Sequence, residues 1–175
     1  MTGVVLKTRR LIVRQWTPED WLEFKVLATD PRVLHYIGSG EAWSDERVQQ
    51  FVNGGIKAAE TRGWLLWPLE HIADKKFVGF CGFNDAFLPE VEIGWWLRPE
   101  YWGQGIASEA AGAILEHGFK TYHFPRVISV AQPANTASIR VMEKLGMHFD
   151  RGFSFRGHDV VAYALANPSS PPSDH

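Results

Sequence analysis

A chain of 175 residues fits one domain with room to bury a substantial core. With 45% hydrophobic and 22% charged residues it has the composition of a globular protein, and a net charge of -2 without a long basic run argues against nucleic-acid binding through a strongly basic surface. The one cysteine, Cys81, excludes an internal disulfide framework and a thiolate metal site, which fits a reducing compartment.

The opening segment MTGVVLKTRRLIVRQW lacks the apolar core of a signal peptide. No stretch approaches the ~18 apolar residues of a membrane span, so a cytoplasmic protein with no membrane partner is expected. Leu11-Ile12-Val13 predicts a first strand. TPEDWLEFKVLA follows as a helix, with Thr17 as N-cap, Pro18 at the first helical position and Asp20 at the capping-box position. SDERVQQFVNGGIKAAE predicts a second helix capped by Ser44. Trp64–Leu69 and Lys76–Phe83 predict a hairpin that turns at ADKK, and Val91–Leu97 a further strand. A glycine turn then leads into a helix from about Ala107 to Lys120. The strand RVISVAQ, the helix TASIRVMEKL closed by Gly146, and the hairpin FDRGFSFRG/DVVAYAL complete the order. The stretch from Asn167 to His175 is rich in proline and serine and is expected to be flexible, leaving one domain over residues 1–166. Three consecutive central strands without helices between them predict an α/β (α+β) fold, with a mixed, mostly antiparallel sheet flanked by helices.

Chemistry concentrates in YWGQGIASEA, Tyr101–Ala110. Glycines passing directly into a helix N-terminus can form an anion cradle, because backbone N–H groups and the helix dipole both favour negative charge. A plain turn with a serine cap is the alternative. The pattern is not a P-loop, since G-x-x-x-x-G-K-S/T is absent. Nor does it suit a dinucleotide fold: the third glycine place holds Ser108, and YHFPR, about twenty residues later, offers no carboxylate.

Three blocks, LKTRRLIVRQWTPEDW, EIGWWLRPEYWGQGIASEA and ANTASIRVMEKLGM, resemble the GNAT acetyl-CoA-dependent N-acetyltransferase superfamily, most closely its RimJ/RimL-like branch of ribosomal-protein N-terminal acetyltransferases. The resemblance runs over roughly residues 6 to 165. It implies acetyl-CoA as co-substrate, no metal, and direct acetyl transfer to a primary amine. The acceptor is a protein N-terminal α-amine or a small-molecule amine, with no direct nucleic-acid partner; a homodimer is common in the family. A non-catalytic acyl-CoA sensor on the same fold is the other class. The family's pyrophosphate motif Q/R-x-x-G-x-G/A falls on Trp102, Gly103, Gln104, Gly105, Ile106 and Ala107, with Ser108 next in the helix. Trp102 departs from the pattern and removes a polar side chain from its head. By the same resemblance Trp96, Leu97 and Arg98 line the pantetheine arm and Asn135 bonds the coenzyme, although Asn135 is equally a helix cap. His35 and Tyr36, between the first two helices, fall where the family shapes its acceptor pocket.

Acetyl transfer to an amine needs a base for the ammonium proton and help for the departing sulfur. Strand alternation puts Glu92, Gly94 and Trp96 on one face and Val91, Ile93, Trp95 and Leu97 on the other. Gly94 leaves space and Trp96 lowers polarity, a setting that raises a carboxylate pKa; Glu92 is the candidate base, the alternative being a salt-bridged edge glutamate. Glu90, nearer the loop, reads as solvated. Many family members carry a tyrosine acid where this chain has Met142. Ser138, four residues earlier on the same face as Val141, Met142 and Leu145, is the candidate to position or protonate the sulfur, or else bonds back to its own helix. His117 and His123 lack metal-ligand spacing, and Cys81 reads as a buried structural thiol.

Overall fold

Leu11, Ile12 and Val13 are all buried, which requires a strand covered on both faces. They form β2 (Leu11–Arg14), one of eight strands in a single sheet. The protein is described by a computed structural model covering residues 3–171. In chain order the strands are β1 (Val4–Lys7), β2, β3 (Leu66–His71), β4 (Phe77–Phe87), β5 (Glu90–Leu97), β6 (Arg126–Ala131), β7 (His148–Phe155) and β8 (His158–Ala166). The helices are α1 (Trp21–Ala28), α2 (Pro31–Leu34), α3 (Asp45–Thr61), α4 (Ile106–Thr121) and α5 (Thr136–Lys144). The spatial order is β1-β2-β3-β4-β5-β6-β8-β7, and every neighbouring pair is antiparallel except β5–β6. The mixed, mostly antiparallel sheet expected from three uninterrupted central strands is therefore present.

Helices α1 and α3 pack on one face of the sheet and α4 on the other. On the first face Trp16, Phe24, Phe51, Phe80 and Trp96 form a continuous aromatic cluster, with Phe24 and Phe51 stacked at 4.5 Å. On the second, Gly118 of α4 sits so close to β4 that a Cβ there would lie 2.4 Å from Phe83 Cζ. Cys81 is fully buried, and burial pushes its thiol well above the ordinary range.

The elements differ from the sequence reading in a few places. β1, an edge strand of only four residues, is additional. So is α2, where Asp30 accepts from Arg32 N and Pro31 opens the turn. The first predicted helix begins later. Pro18–Asp20 make a single 3-10 turn, because the Asp20 carboxylate is held back by Thr17 N (2.7 Å) and by the Arg14 guanidinium (2.8 and 2.9 Å). Asn167, where the polar C-terminal stretch starts, is buried and donates to Phe124 O and Phe119 O. Residues 172–175 of that stretch lie outside the described residues. Among the described residues no helix is long and apolar enough to cross a membrane.

Candidate active site

The site begins where β5 and β6 part. β5 pairs along its length with β4, but with β6 only through Val91↔Val127 and Glu92↔Ile128. Beyond that point β6 is committed to β8, and the two parallel strands diverge. The Ser129 hydroxyl, buried, donates to Ile93 O at 2.9 Å and makes a further tie across the opening. Ladder alternation holds as the sequence implied: Val91, Ile93 and Leu97 are buried toward α4, while Glu92, Gly94 and Trp96 take the other face.

Glu92 thus stands at the last paired position, on the face of the aromatic cluster. Its cross-strand partner is Asn84. A Cβ built on Gly94 would meet Asn84 Nδ2 and Glu92 Oε1 at 3.8 Å and Leu66 Cδ2 at 4.0 Å, ordinary contacts that leave room beside the carboxylate. Burial pushes the Glu92 carboxyl up to about 7, with the nearby Asn84 amide and Val130 backbone pulling the other way. The residue as a whole is half-buried, and the raised value comes from dense packing around the carboxylate. Such a carboxylate can take a proton near neutral pH. Glu90, by contrast, is paired with Arg126 and Arg151.

The glycine turn lies at the far end of β5. Gly103 and Gly105 have φ of 72° and 76°, the left-handed region open to glycine at little cost. Gly105, and not Ser108, is the N-cap of α4, and no side chain caps the helix. The first N–H groups of α4 therefore have no intrahelical acceptor and no side-chain substitute, and they face a backbone free of Cβ atoms at two places. This arrangement fits an anion such as the coenzyme pyrophosphate. Trp102 is 47% exposed, and its indole N–H donates to Leu97 O at 2.9 Å. Gln104 turns its side chain back to Glu100 O. Ile106 is buried, and Ala107 and Ser108 are half-buried. Of the residues expected along the pantetheine arm, Trp96 is half-buried against Trp43 and Phe80, Leu97 is buried, and Arg98 is drawn to Glu23 of α1.

Asn135 caps α5, accepting from Ser138 N at 3.3 Å. Ser138, Val141 and Leu145 are half-buried, Met142 is 1% exposed, and Arg140 is exposed, so the inward face is the one read from the sequence. His35 and Tyr36 pack edge to face at 4.5 Å. Gln132, just past β6, donates to Tyr36 O at 3.1 Å, which brings that segment to the open side of the split. The structure adds Asn84, Ser129 and Gln132, which the sequence reading missed. Asn84 carried a faint signal as a polar residue ending the apolar run FVGFCGF on the antiparallel partner of β5. Among the described residues no cluster of three or more His, Cys, Asp or Glu side chains is placed to hold a metal ion.

Comparison with known proteins gives the family and the fold. The family model described as Acetyltransferase (GNAT) domain matches residues 10–148. The chain is 36% identical over 145 residues to "Uncharacterized N-acetyltransferase YnaD" of Bacillus subtilis, covering 81% of each chain. It is 37% identical over 146 residues to "Uncharacterized N-acetyltransferase p20" of Bacillus licheniformis, covering 80% of each. Among solved structures, an acetyltransferase (GNAT family) from Bacillus anthracis superposes with a TM-score of 0.81 at 34% identity, covering 93% of this chain and 98% of that one. RimL, a ribosomal alpha-N-protein acetyltransferase in complex with coenzyme A, has a TM-score of 0.79 at 20% identity, covers 96% of this chain and 100% of that one, and shares the fold.

Proposed function

The chain belongs to the GNAT acetyltransferase family, and from that premise we propose that it moves the acetyl group of acetyl-CoA to an α-amine, with Glu92 as the base. The observation that carries the reading is the position of Glu92: a carboxyl pushed up to about 7, standing where β5 and β6 part.

Acetyl-CoA supplies an activated acyl group on sulfur, with a pyrophosphate as its handle. The uncapped start of α4 holds that handle through the backbone of Gly103, Gln104, Gly105, Ile106, Ala107 and Ser108. Trp96, Leu97 and Arg98 flank the arm from the end of β5. Asn135 spends its Oδ1 on the α5 cap, which leaves its amide nitrogen to donate to the coenzyme. Glu92 receives the ammonium proton, directly or through one water; the free amine attacks the thioester carbonyl, the C–N bond forms as the C–S bond breaks, and coenzyme A leaves as a thiolate that takes up the proton the nitrogen sheds. Ser138, on the inward face of α5, positions the sulfur; its hydroxyl is too weak an acid to be an efficient proton donor by itself. His35 and Tyr36 bound the acceptor side.

An α-amine is favoured as acceptor because its ammonium gives up a proton more readily than a lysine-type ammonium. A free α-ammonium titrates near ~8 and a lysine-type ammonium near ~10.4. A base at about 7 takes the first proton at little cost. Taking the second is harder by the gap between the two amines, about 3 kcal/mol. An amino acid or a peptide N-terminus is therefore the favoured acceptor. The test is mass spectrometry of acetyl-CoA reactions with a mixed pool of free amino acids, peptides with free N-termini, lysine side-chain amines and polyamines. Acetylation confined to α-amines supports the reading, and acetylation confined to lysine or polyamine nitrogens defeats it.

A further inference from the structure

The glycine turn is fastened by a residue nearly a hundred positions away. Arg10 lies in the connection between β1 and β2, beside the start of α4. Its backbone N–H and Nε donate to the two Glu109 carboxylate oxygens at 2.9 and 2.6 Å, and the Thr8 hydroxyl adds a third bond at 2.8 Å. Arg10 Nη1 donates to Gln104 O at 2.9 Å. The remaining nitrogen, Nη2, lies 3.6 Å from where a Gly105 Cβ would be. One guanidinium thus bridges the first turn of α4 and the middle of the glycine turn.

Two consequences follow from elementary chemistry. The peptide unit is planar and trans, so a Gln104 carbonyl held toward Arg10 turns the Gly105 N–H of the same unit away from it. Glu109, in the first turn of α4, would by itself repel a bound anion. Burial works against its charge, but the bonds from Arg10 and Thr8 hold its carboxyl below the ordinary range, and the ion pair cancels the field it would send to the helix start. The indole N–H at the motif head is bonded to Leu97 O, so it is not free to donate to an anion.

We propose that Arg10 is a positioning residue for coenzyme A: through Gln104 and Glu109 it sets the glycine turn in its anion-binding form and neutralises the carboxylate beside it. This role rests on the acetyl-CoA reading above. It compensates for the absent polar residue at position 102.

The experiment is calorimetric titration of coenzyme A into wild type, Arg10→Ala and Arg10→Lys, with thermal unfolding of each and the Gly105 amide resonance followed during titration. Arg10→Ala should weaken coenzyme A at least tenfold. Arg10→Lys should fall between, because one ammonium cannot reach Glu109 and Gln104 together. The Gly105 amide should shift on binding in wild type and shift much less in Arg10→Ala at equal saturation. Should Arg10→Ala fail to fold, Arg10→Lys keeps the pair with Glu109 and decides the matter through its affinity and the Gly105 resonance. Coenzyme A affinity within twofold of wild type in the folded variants, even with lowered stability, overturns the proposal. A wild-type protein that does not bind coenzyme A overturns the acetyl-CoA reading and this inference with it.

Discussion

Glu92 and Asn84 face each other across the β4–β5 ladder, and Glu92 Oε1 and Asn84 Nδ2 each lie 3.8 Å from the place a Gly94 Cβ would fill. The pair sits where β5 loses β6, so a carboxylate with a raised proton affinity and a neutral polar neighbour stand together at the opening.

Burial of Glu92 costs stability when it ionises. Its folded value is about 7 against 4.5 for the free group, so the folded chain holds a proton that the unfolded chain has released across that interval. Stability therefore falls as pH rises from about 4.5 to about 7 and levels off above. Glu92→Gln removes this loss. In urea unfolding at pH 5 and pH 8, the glutamine variant should gain on wild type by about 1–3 kcal/mol over the interval.

Asn84 opposes the effect of burial on Glu92. Asn84→Ala should raise the Glu92 proton affinity further and move the acid limb of kcat/KM to higher pH, by up to about one pH unit. The midpoint of the pH profile reads this directly, and a limb unmoved or moved to lower pH would show that Asn84 does not touch the titrating group.

Gly118 has no room for a methyl group: its Cβ would meet Phe83 Cζ at 2.4 Å, Phe83 Cε2 at 2.7 Å and Phe124 at 3.4 Å. Gly118→Ala should cost about 1–3 kcal/mol by overpacking. Thermal unfolding measures the loss, and coenzyme A affinity should stay at the wild-type value because the glycine turn lies at the other end of α4.

Asn135 carries two roles that substitution can separate. Asn135→Ala loses the cap on α5, worth about 1 kcal/mol. Asn135→Asp keeps the capping oxygen and removes the amide donor, so its stability should match wild type while its coenzyme A affinity drops. Equal affinity in Asn135→Asp and wild type would leave Asn135 as a cap alone.

Much of this architecture was legible because it is local. An apolar run located β2, local pattern located β5, α3 and α5, and the alternation of Val91–Leu97 set Glu92, Gly94 and Trp96 on one face. The glycine spacing located the turn that opens α4, with both glycines at positive φ. Local pattern failed where distant contacts decide. β1 is four residues at a sheet edge, too short for a period to show. α2 is signalled only by Asp30-Pro31, a cap and first-position pair, and runs a single turn of four residues. Asn167 looks like the start of a polar stretch but is buried by bonds to Phe119 and Phe124. The Arg10–Glu109 bond joins residues 99 positions apart, and nothing near either residue foretells it. Ser129 reaches Ile93 only because two strands part there.

The most direct test of the central claim is the pH dependence of kcat/KM for acetyl transfer in wild type and Glu92→Gln. Wild type should rise with pH through a midpoint near 7 as Glu92 loses its proton. Glu92→Gln should be slower by roughly 10²–10⁴-fold at the plateau and should lack that limb. A glutamine variant that keeps wild-type rates and the same limb would contradict the assignment of Glu92 as the base.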